Sequence, residues 1–169
     1  ETSQADVDRI INLGIQIHYN SKVDAPKFKE IQNQFDYIYI SAGAQNNKKL
    51  RIDGELLEKV IEPVEFLSQI KRNNKIDLGK NVVVIGGGNT AMDAVRTAKR
   101  IVGKDGNVTI LYRRTRKEMP AEDAEIQAAL EEGVNLVELV SPLKINGNKK
   151  AASITCQRMK LGKADASGR

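Results

Sequence analysis

The apolar residues of this chain follow first a loose and then a sharp rhythm. Residues 1–14 predict a helix, with Val7, Ile10, Ile11 and Leu13 near one face and Gly14 as its stop. Ile15–Tyr19 predicts a short strand and Pro26–Gln32 a turn or short helix. Asp36–Ile40 is a β-rich run that ends at Ser41-Ala42-Gly43-Ala44. Asn46–Lys49 is polar and predicts a loop. Leu56–Ile70 predicts a helix interrupted or restarted near Pro63, with Val60, Val64, Phe66 and Leu67 on its apolar face. Lys71–Lys80 is charged and loop-like.

From Asn81 the pattern sharpens. Asn81–Ile85 carries four β-branched apolar residues in a row, the signature of a parallel strand covered on both faces. Gly86–Gly88 is a glycine turn. Thr90–Val102 predicts a helix with Ala91, Ala94, Val95, Ala98 and Ile101 on one face, ended by Gly103. Lys99 and Arg100 in its last turns suit the helix dipole. Val108–Tyr112 predicts a second buried strand. Pro120 is placed to open a helix that runs to Glu132, with Glu122 and Asp123 in its first turn and Gly133 as terminator. Asn135–Val140 predicts a third strand, broken by Ser141-Pro142. Leu143–Ile145 and Ser153–Lys160 form an expected hairpin around Asn146-Gly147-Asn148, and Gly162–Arg169 a polar loop.

Strand, glycine turn, helix, strand is the order of a dinucleotide-binding unit, with right-handed crossovers expected. Gly86 would allow the tight turn out of the strand. Gly88, lacking a Cβ, would let the backbone approach a pyrophosphate. Ala91 stands where a third glycine often sits and must be small for helix and strand to pack. The N–H groups around Asn89 and Thr90 would face the pyrophosphate from a helix N-terminus. A GxGxxA pattern alone is weak; the flanking strand, helix and second strand give it weight. A glycine turn that binds nothing is the alternative.

The end of the second strand bears on the choice of nicotinamide. NAD sites commonly place an acidic residue about 20 residues beyond the glycines, on the ribose 2′-hydroxyl. Here Tyr112 runs into Arg113-Arg114, with Arg116 and Lys117 following. Guanidinium groups hold phosphate oxygens in pairs, so this end favours the 2′-phosphate of NADP(H) over NAD. The alternative is a solvated basic strand end.

Composition narrows the classes. Lys plus Arg number 27 and Asp plus Glu 22, a net charge of +5 spread along the chain. Aromatic residues are 4% and Trp is absent, which argues against base stacking on nucleic acid. The single Cys156 allows no internal disulfide, Cys-ligated zinc or iron–sulfur cluster. The single His18 sits in an apolar stretch without a nucleophile motif and is read as a packing or strand-edge residue. No metal site and no catalytic acid, base or nucleophile is expected. Neither a membrane-length apolar run nor a signal peptide is visible, so the expectation is a soluble, cytoplasmic protein. The chain opens on Glu1 and reads as an excised piece.

Asn81–Asp93 (NVVVIGGGNTAMD), Tyr112-Arg113-Arg114, Glu118-Met119-Pro120-Ala121 and Glu131-Glu132-Gly133-Val134 together resemble the NADPH-binding domain of the small (β) subunit family of glutamate synthase. The pattern is shared with the amino-terminal part of dihydropyrimidine dehydrogenase, a selenate-reductase-type subunit and, more distantly, the adrenodoxin-type NADP reductases. The resemblance spans about Asp36–Arg169 and is most specific over residues 81–134.

The resemblance implies an α/β, Rossmann-like parallel sheet with flanking helices plus an antiparallel β-hairpin, a fragment of a two-dinucleotide-binding flavoprotein fold. Residues 1–44 would be a partial FAD-domain-like segment, 45–80 a connecting helix and loop, and 81–169 an NADP(H)-binding domain truncated before its last strand. The FAD fingerprint would lie upstream. Gly86, Gly87, Gly88, Asn89, Thr90 and Ala91 would form the pyrophosphate site, and Arg113 and Arg114 would hold the 2′-phosphate. Glu125 matches an acidic helix residue near the adenosine ribose in the adrenodoxin-type relatives; the alternative is an ordinary exposed helix residue. Asp93 and Arg96 would pair with neighbours as supports.

The parent protein would pass hydride from NADPH to FAD and on to an electron-accepting subunit or domain, with the cofactors carrying the chemistry. The fragment alone would be inactive. A stand-alone, non-catalytic NADP-binding regulatory module is the second reading, disfavoured by residues 1–44, which it would not need. A nucleic-acid binder built on Arg113–Lys117 is the third.

Overall fold

The computed structural model describes residues 2–43 and 49–163. The chain divides into two compact units, Glu1–Gln45 and Asn46–Arg169.

The first unit holds α1 (Thr2–Asn12) and α2 (Ala25–Gln34). α1 ends as expected: Gly14 adopts φ +85° and its N–H donates to the Ile11 carbonyl at 2.9 Å. α2 is a full helix rather than a turn. The Asp24 carboxylate caps it by accepting from the Lys27 N–H at 3.0 Å, and Pro26 pre-sets its first turn. The strands expected at Ile15–Tyr19 and Asp36–Ile40 do not form. An extended run becomes a strand only when a neighbouring edge supplies its ladder, and no strand lies among the described residues of this unit. Tyr37 and Tyr39 are accordingly over nine-tenths exposed. Ala44, the end of the second run, lies outside the described residues, as do residues 46–48 of the expected loop.

The second unit is α/β. β1 (Asn81–Ile85), β2 (Asn107–Leu111) and β3 (Asn135–Val137) form a parallel sheet in sequential order, with Asn81 opposite Asn107 and Thr109 opposite Asn135. α4 (Asn89–Val102) connects β1 to β2, and α5 (Asp123–Glu131) connects β2 to β3. α3 (Pro63–Lys71) packs on α4, and α4 on α5. Sequential strand order with crossovers of one hand places both connecting helices on one face.

The burial pattern follows. Val82, Val84, Val108 and Ile110 turn into the cluster with Met92, Val95 and Ile126, while Val83 stays nearly half exposed on the opposite face. β1 is therefore not covered on both faces, contrary to its apolar run. On α4 the buried residues are Ala91, Met92, Ala94, Val95 and Ala98. Ile101, expected among them, is exposed, and Met92 fills the core instead.

The segment 56–62 is not helical. Its backbone, with that of Asp53 just before it, bonds to the hairpin of β4 (Val140–Gly147) and β5 (Ala151–Arg158). Ile145 N–H donates to Asp53 O at 2.8 Å, Glu58 N–H to Lys149 O at 3.0 Å, and Ala151 N–H to Glu58 O at 2.9 Å. At Gly54, φ +83°, a Cβ would lie 2.0 Å from the Ile145 carbonyl oxygen. Only from Pro63 does the helix run, so Val60 contributes nothing to its apolar face.

Three boundaries further along also move. Pro120 precedes α5 by three positions because a 3₁₀ turn, Arg116–Glu118, takes up the chain first. The third strand stops at Val137, and Val140 already belongs to the hairpin. Ser141-Pro142 does not break the chain: Pro142 pairs with Cys156 inside β4, beside a register shift that accommodates a residue without an N–H. Residues 164–169 of the expected final loop lie outside the described residues.

α4 and α5 are joined by Arg96. Its Nε donates to Glu132 Oε1 at 2.9 Å and its Nη1 to Glu125 Oε2 at 2.5 Å, and Arg100 adds a longer contact to Glu132 at 3.3 Å. The expected supporting role of Arg96 is thus realised, from one helix to the next. The apolar cluster still dominates: each fully buried Val, Ile or Met is worth about 1.5–3 kcal/mol, a partly exposed ion pair about 1 kcal/mol.

The hydrogen bond from Arg96 holds the Glu132 carboxyl below the usual carboxylate range, against the opposing effect of burial. A depressed carboxyl stabilises the fold above its unfolded value and loses that contribution as pH falls through its folded value. Glu132→Gln should cost about 1 kcal/mol near neutrality. Its stability gap to the wild type should close as pH falls through and below the ordinary glutamate range, read by urea denaturation at each pH.

Candidate functional site

β1 delivers the chain into the glycine turn. Gly86 stands at φ +134°, with its N–H donating to Leu111 O at 3.1 Å. Gly88 is the extended residue before α4, and its carbonyl accepts from Ala91 N–H at 2.9 Å and Met92 N–H at 3.2 Å. No side chain caps the helix. The N–H groups of Gly87, Gly88, Asn89 and Thr90 donate to no atom among the described residues. Four unused donors at the positive end of a fourteen-residue helix are chemistry suited to an anion, and this cradle is the candidate site.

The glycines differ in what surrounds them. A Cβ on Gly88 would meet nothing within 4 Å, so this side of the turn is open to a ligand. A Cβ on Gly86 would touch only the Ala91 methyl, at 3.8 Å. On Gly87 it would lie 2.8 Å from Tyr112 Cε2 and 3.0 Å from Met119 Cγ. The strictest steric demand therefore falls on the middle glycine, to which the spacing argument gave no separate task. Ala91 is buried against the sheet, as its small size predicts.

The segment after β2 folds over the turn. Tyr112 is buried, and its hydroxyl donates to Glu118 O at 2.7 Å. Ala121 N–H donates to Gly87 O at 3.0 Å. The Asn89 side-chain oxygen accepts from Glu122 N–H at 3.0 Å, so the side chain ties the start of α4 to the approach of α5 and leaves its main-chain N–H for the cradle. Within the 3₁₀ turn, Glu118 Oε2 accepts from the Thr115 hydroxyl at 2.6 Å and the Thr115 N–H at 3.0 Å, which holds its carboxyl below the usual range.

These bonds bring residues 86–91 and 112–122 together. Arg113 is exposed, without an ion pair among the described residues, and Arg114 is half-buried. Arg116 is engaged elsewhere, at 3.2 Å from Gln127 Oε1 and 3.9 Å from Asp123. Glu125 turns to Arg96 on the neighbouring helix. Tyr112, Met119 and Ala121 support the turn without having been singled out by spacing. Tyr112 and Met119 stood inside the matching runs, but only packing against Gly87 reveals their work. No group of acidic, histidine or cysteine side chains among the described residues could hold a metal ion, and no helix is long and apolar enough to cross a membrane.

Comparison with known proteins agrees with this geometry. The family model described as pyridine nucleotide-disulphide oxidoreductase matches residues 2–166. The chain is 37% identical over 174 residues to the NADPH-Fe(3+) oxidoreductase subunit beta of Geobacter sulfurreducens, covering 98% of this chain and 25% of that protein. It is 32% identical over 180 residues to the glutamate synthase [NADPH] small chain of Azospirillum brasilense, covering 96% of this chain and 36% of that protein. The chain thus spans between a quarter and about a third of the length of these relatives. Among solved structures, FprA of Mycobacterium tuberculosis in complex with NADPH superimposes with a TM-score of 0.68 at 21% identity, over 83% of this chain and 46% of that one, a likeness of fold. The chain belongs to the pyridine nucleotide-disulphide oxidoreductase family, with the glutamate synthase small chains among its relatives.

Proposed function

We propose that this chain is the NADP(H)-binding part of an FAD-dependent oxidoreductase that takes hydride from NADPH and passes electrons to a partner subunit or domain. The observation that carries the reading is the open cradle of four N–H donors at Gly87–Thr90, bonded through Gly87 and Asn89 to Ala121 and Glu122 on the segment that follows Arg113-Arg114. The donor set fits a pyrophosphate, and the open side of Gly88 leaves the backbone room to approach it. Gly87, Gly88, Asn89 and Thr90 would bind it through main-chain N–H groups. Arg113 and Arg114 would hold the 2′-phosphate. The relatives named for NADPH point the same way.

When bound, the nicotinamide supplies the hydride, and flavin in the parent protein accepts it. This chain's own residues bind and orient; none of them is assigned a proton transfer. Glu125, held by Arg96, would act on the ribose side only by fixing the start of α5. We place the parent protein in the cytoplasm.

Replacing both Arg113 and Arg114 by Ala should weaken NADPH by more than about tenfold and NADH far less, because each charge-assisted bond to phosphate is worth about 1.5–3 kcal/mol. Fluorescence titration of both nucleotides measures this, and equal losses would remove the arginines from the 2′-phosphate.

Gly88→Val should abolish binding of both nucleotides while the melting temperature stays within a few degrees, since the added carbons enter open space. A folded variant with unchanged affinity would move the site elsewhere.

The purified 169-residue chain should be colourless and should not oxidise NADPH with added FAD and a dye acceptor. Proximity of two cofactors is the catalysis, and among the described residues the one strand–glycine turn–helix is at residues 81–102. A yellow preparation with flavin bound to the chain would contradict this.

A further inference from the structure

The turn from β3 into the hairpin, Glu138–Leu139, grips the arginine loop at successive points. Tyr112 N–H donates to Val137 O at 3.0 Å, and Val140 N–H to Tyr112 O at 3.0 Å. Leu139 N–H donates to Arg114 O at 3.1 Å. The Glu138 carboxylate, half-buried, accepts the main-chain N–H of Arg116, the first residue of the 3₁₀ turn. Leu139 itself stands at φ +54°, a left-handed conformation uncommon for a residue with a branched side chain. That conformation lets its N–H reach Arg114 while its carbonyl accepts from Met159 N–H at 2.7 Å, on the chain leaving β5. Strain kept at such a point marks a position that the surroundings over-determine.

A carboxylate this close to a phosphate-binding loop would repel a 2′-phosphate if its charge faced the ligand. Here it is turned onto a backbone donor, where it fixes the loop instead. Resting on the NADP(H) reading above, we propose that Glu138 is a positioning residue for nucleotide specificity. By holding the Arg116 N–H it sets the path of Arg113-Arg114, so that both arginines are preorganised for the 2′-phosphate. Its carboxylate bonds to the Arg116 N–H and to no N–H of residues 86–90.

The test is the ratio of NADPH to NADH affinity in the 169-residue chain, measured for wild type, Glu138→Ala and Glu138→Gln. Glu138→Ala should weaken NADPH about tenfold and NADH less than about twofold, the size of one lost charge-assisted bond felt only through the 2′-phosphate. Glu138→Gln keeps an oxygen that accepts the Arg116 N–H and should recover most of the loss. If the alanine variant does not fold, Glu138→Asp replaces it. Its shorter side chain cannot reach without moving the turn, and it should show the same split in smaller size. Equal weakening of both nucleotides, or an unchanged ratio in the folded Ala or Asp variant, overturns the proposal while leaving a discriminating wild type and its NADP(H) reading intact. A wild type that binds the two nucleotides equally removes the 2′-phosphate site and this proposal with it.

Discussion

The glycine turn depends on the contact of Gly87 with the Tyr112 ring and the Met119 side chain, where a single added carbon would not fit. This contact joins the end of the first strand to the segment after the second. It buries Tyr112, places its hydroxyl on Glu118 O, and brings Ala121 N–H to Gly87 O. The open face of the glycine turn is a consequence: with one side of Gly87 filled by the protein, the donors of Gly87–Thr90 are left to the other side. A larger residue at Gly87 would push the two segments apart, and the cradle and the arginine loop would lose their common frame.

Around that contact the structure uses two kinds of support. Apolar burial of Met92, Val95, Val108, Ile110 and Ile126 fixes the sheet against its helices. Polar bonds then set angles that burial cannot: Arg96 between α4 and α5, Asn89 to the approach of α5, and Glu138 and Leu139 to the arginine loop. Hydrophobic contact is non-directional, whereas hydrogen bonds have preferred geometry. The common orientation of the donors at Gly87–Thr90 therefore depends on the second kind.

The same division explains the 50–60 segment and the hairpin. Neither is needed to cover the helix face of the sheet, yet Asp53 and Glu58 bond to β4 and the turn beyond it, and Gly54 lets the strap lie directly on Ile145. The hairpin in turn holds Leu139 through Met159 N–H. A chain of main-chain bonds runs from the β5 end of the hairpin to Arg114.

Consecutive residues were enough to set the parallel βαβ order, the glycine turn, the basic end of the second strand and the family, because period, turn chemistry and charge are local. They did not set which face of Val83 is covered, that Ile101 points out while Met92 points in, or that 56–62 bonds to a hairpin far along the chain instead of forming a helix. Those outcomes turn on which distant surface each segment meets. The extended runs at Ile15–Tyr19 and Asp36–Ile40 show the same limit from the other side: β-propensity was present, but a strand requires a partner edge. The site divides likewise. The turn at Gly86–Gly88 and the small Ala91 behind it were legible from spacing, which also proposed the two arginines. The engagement of Glu125 with Arg96, the packing of Tyr112 on Gly87 and the bond from Arg116 to Glu138 were decided only in the folded chain, where residues far apart in sequence become neighbours.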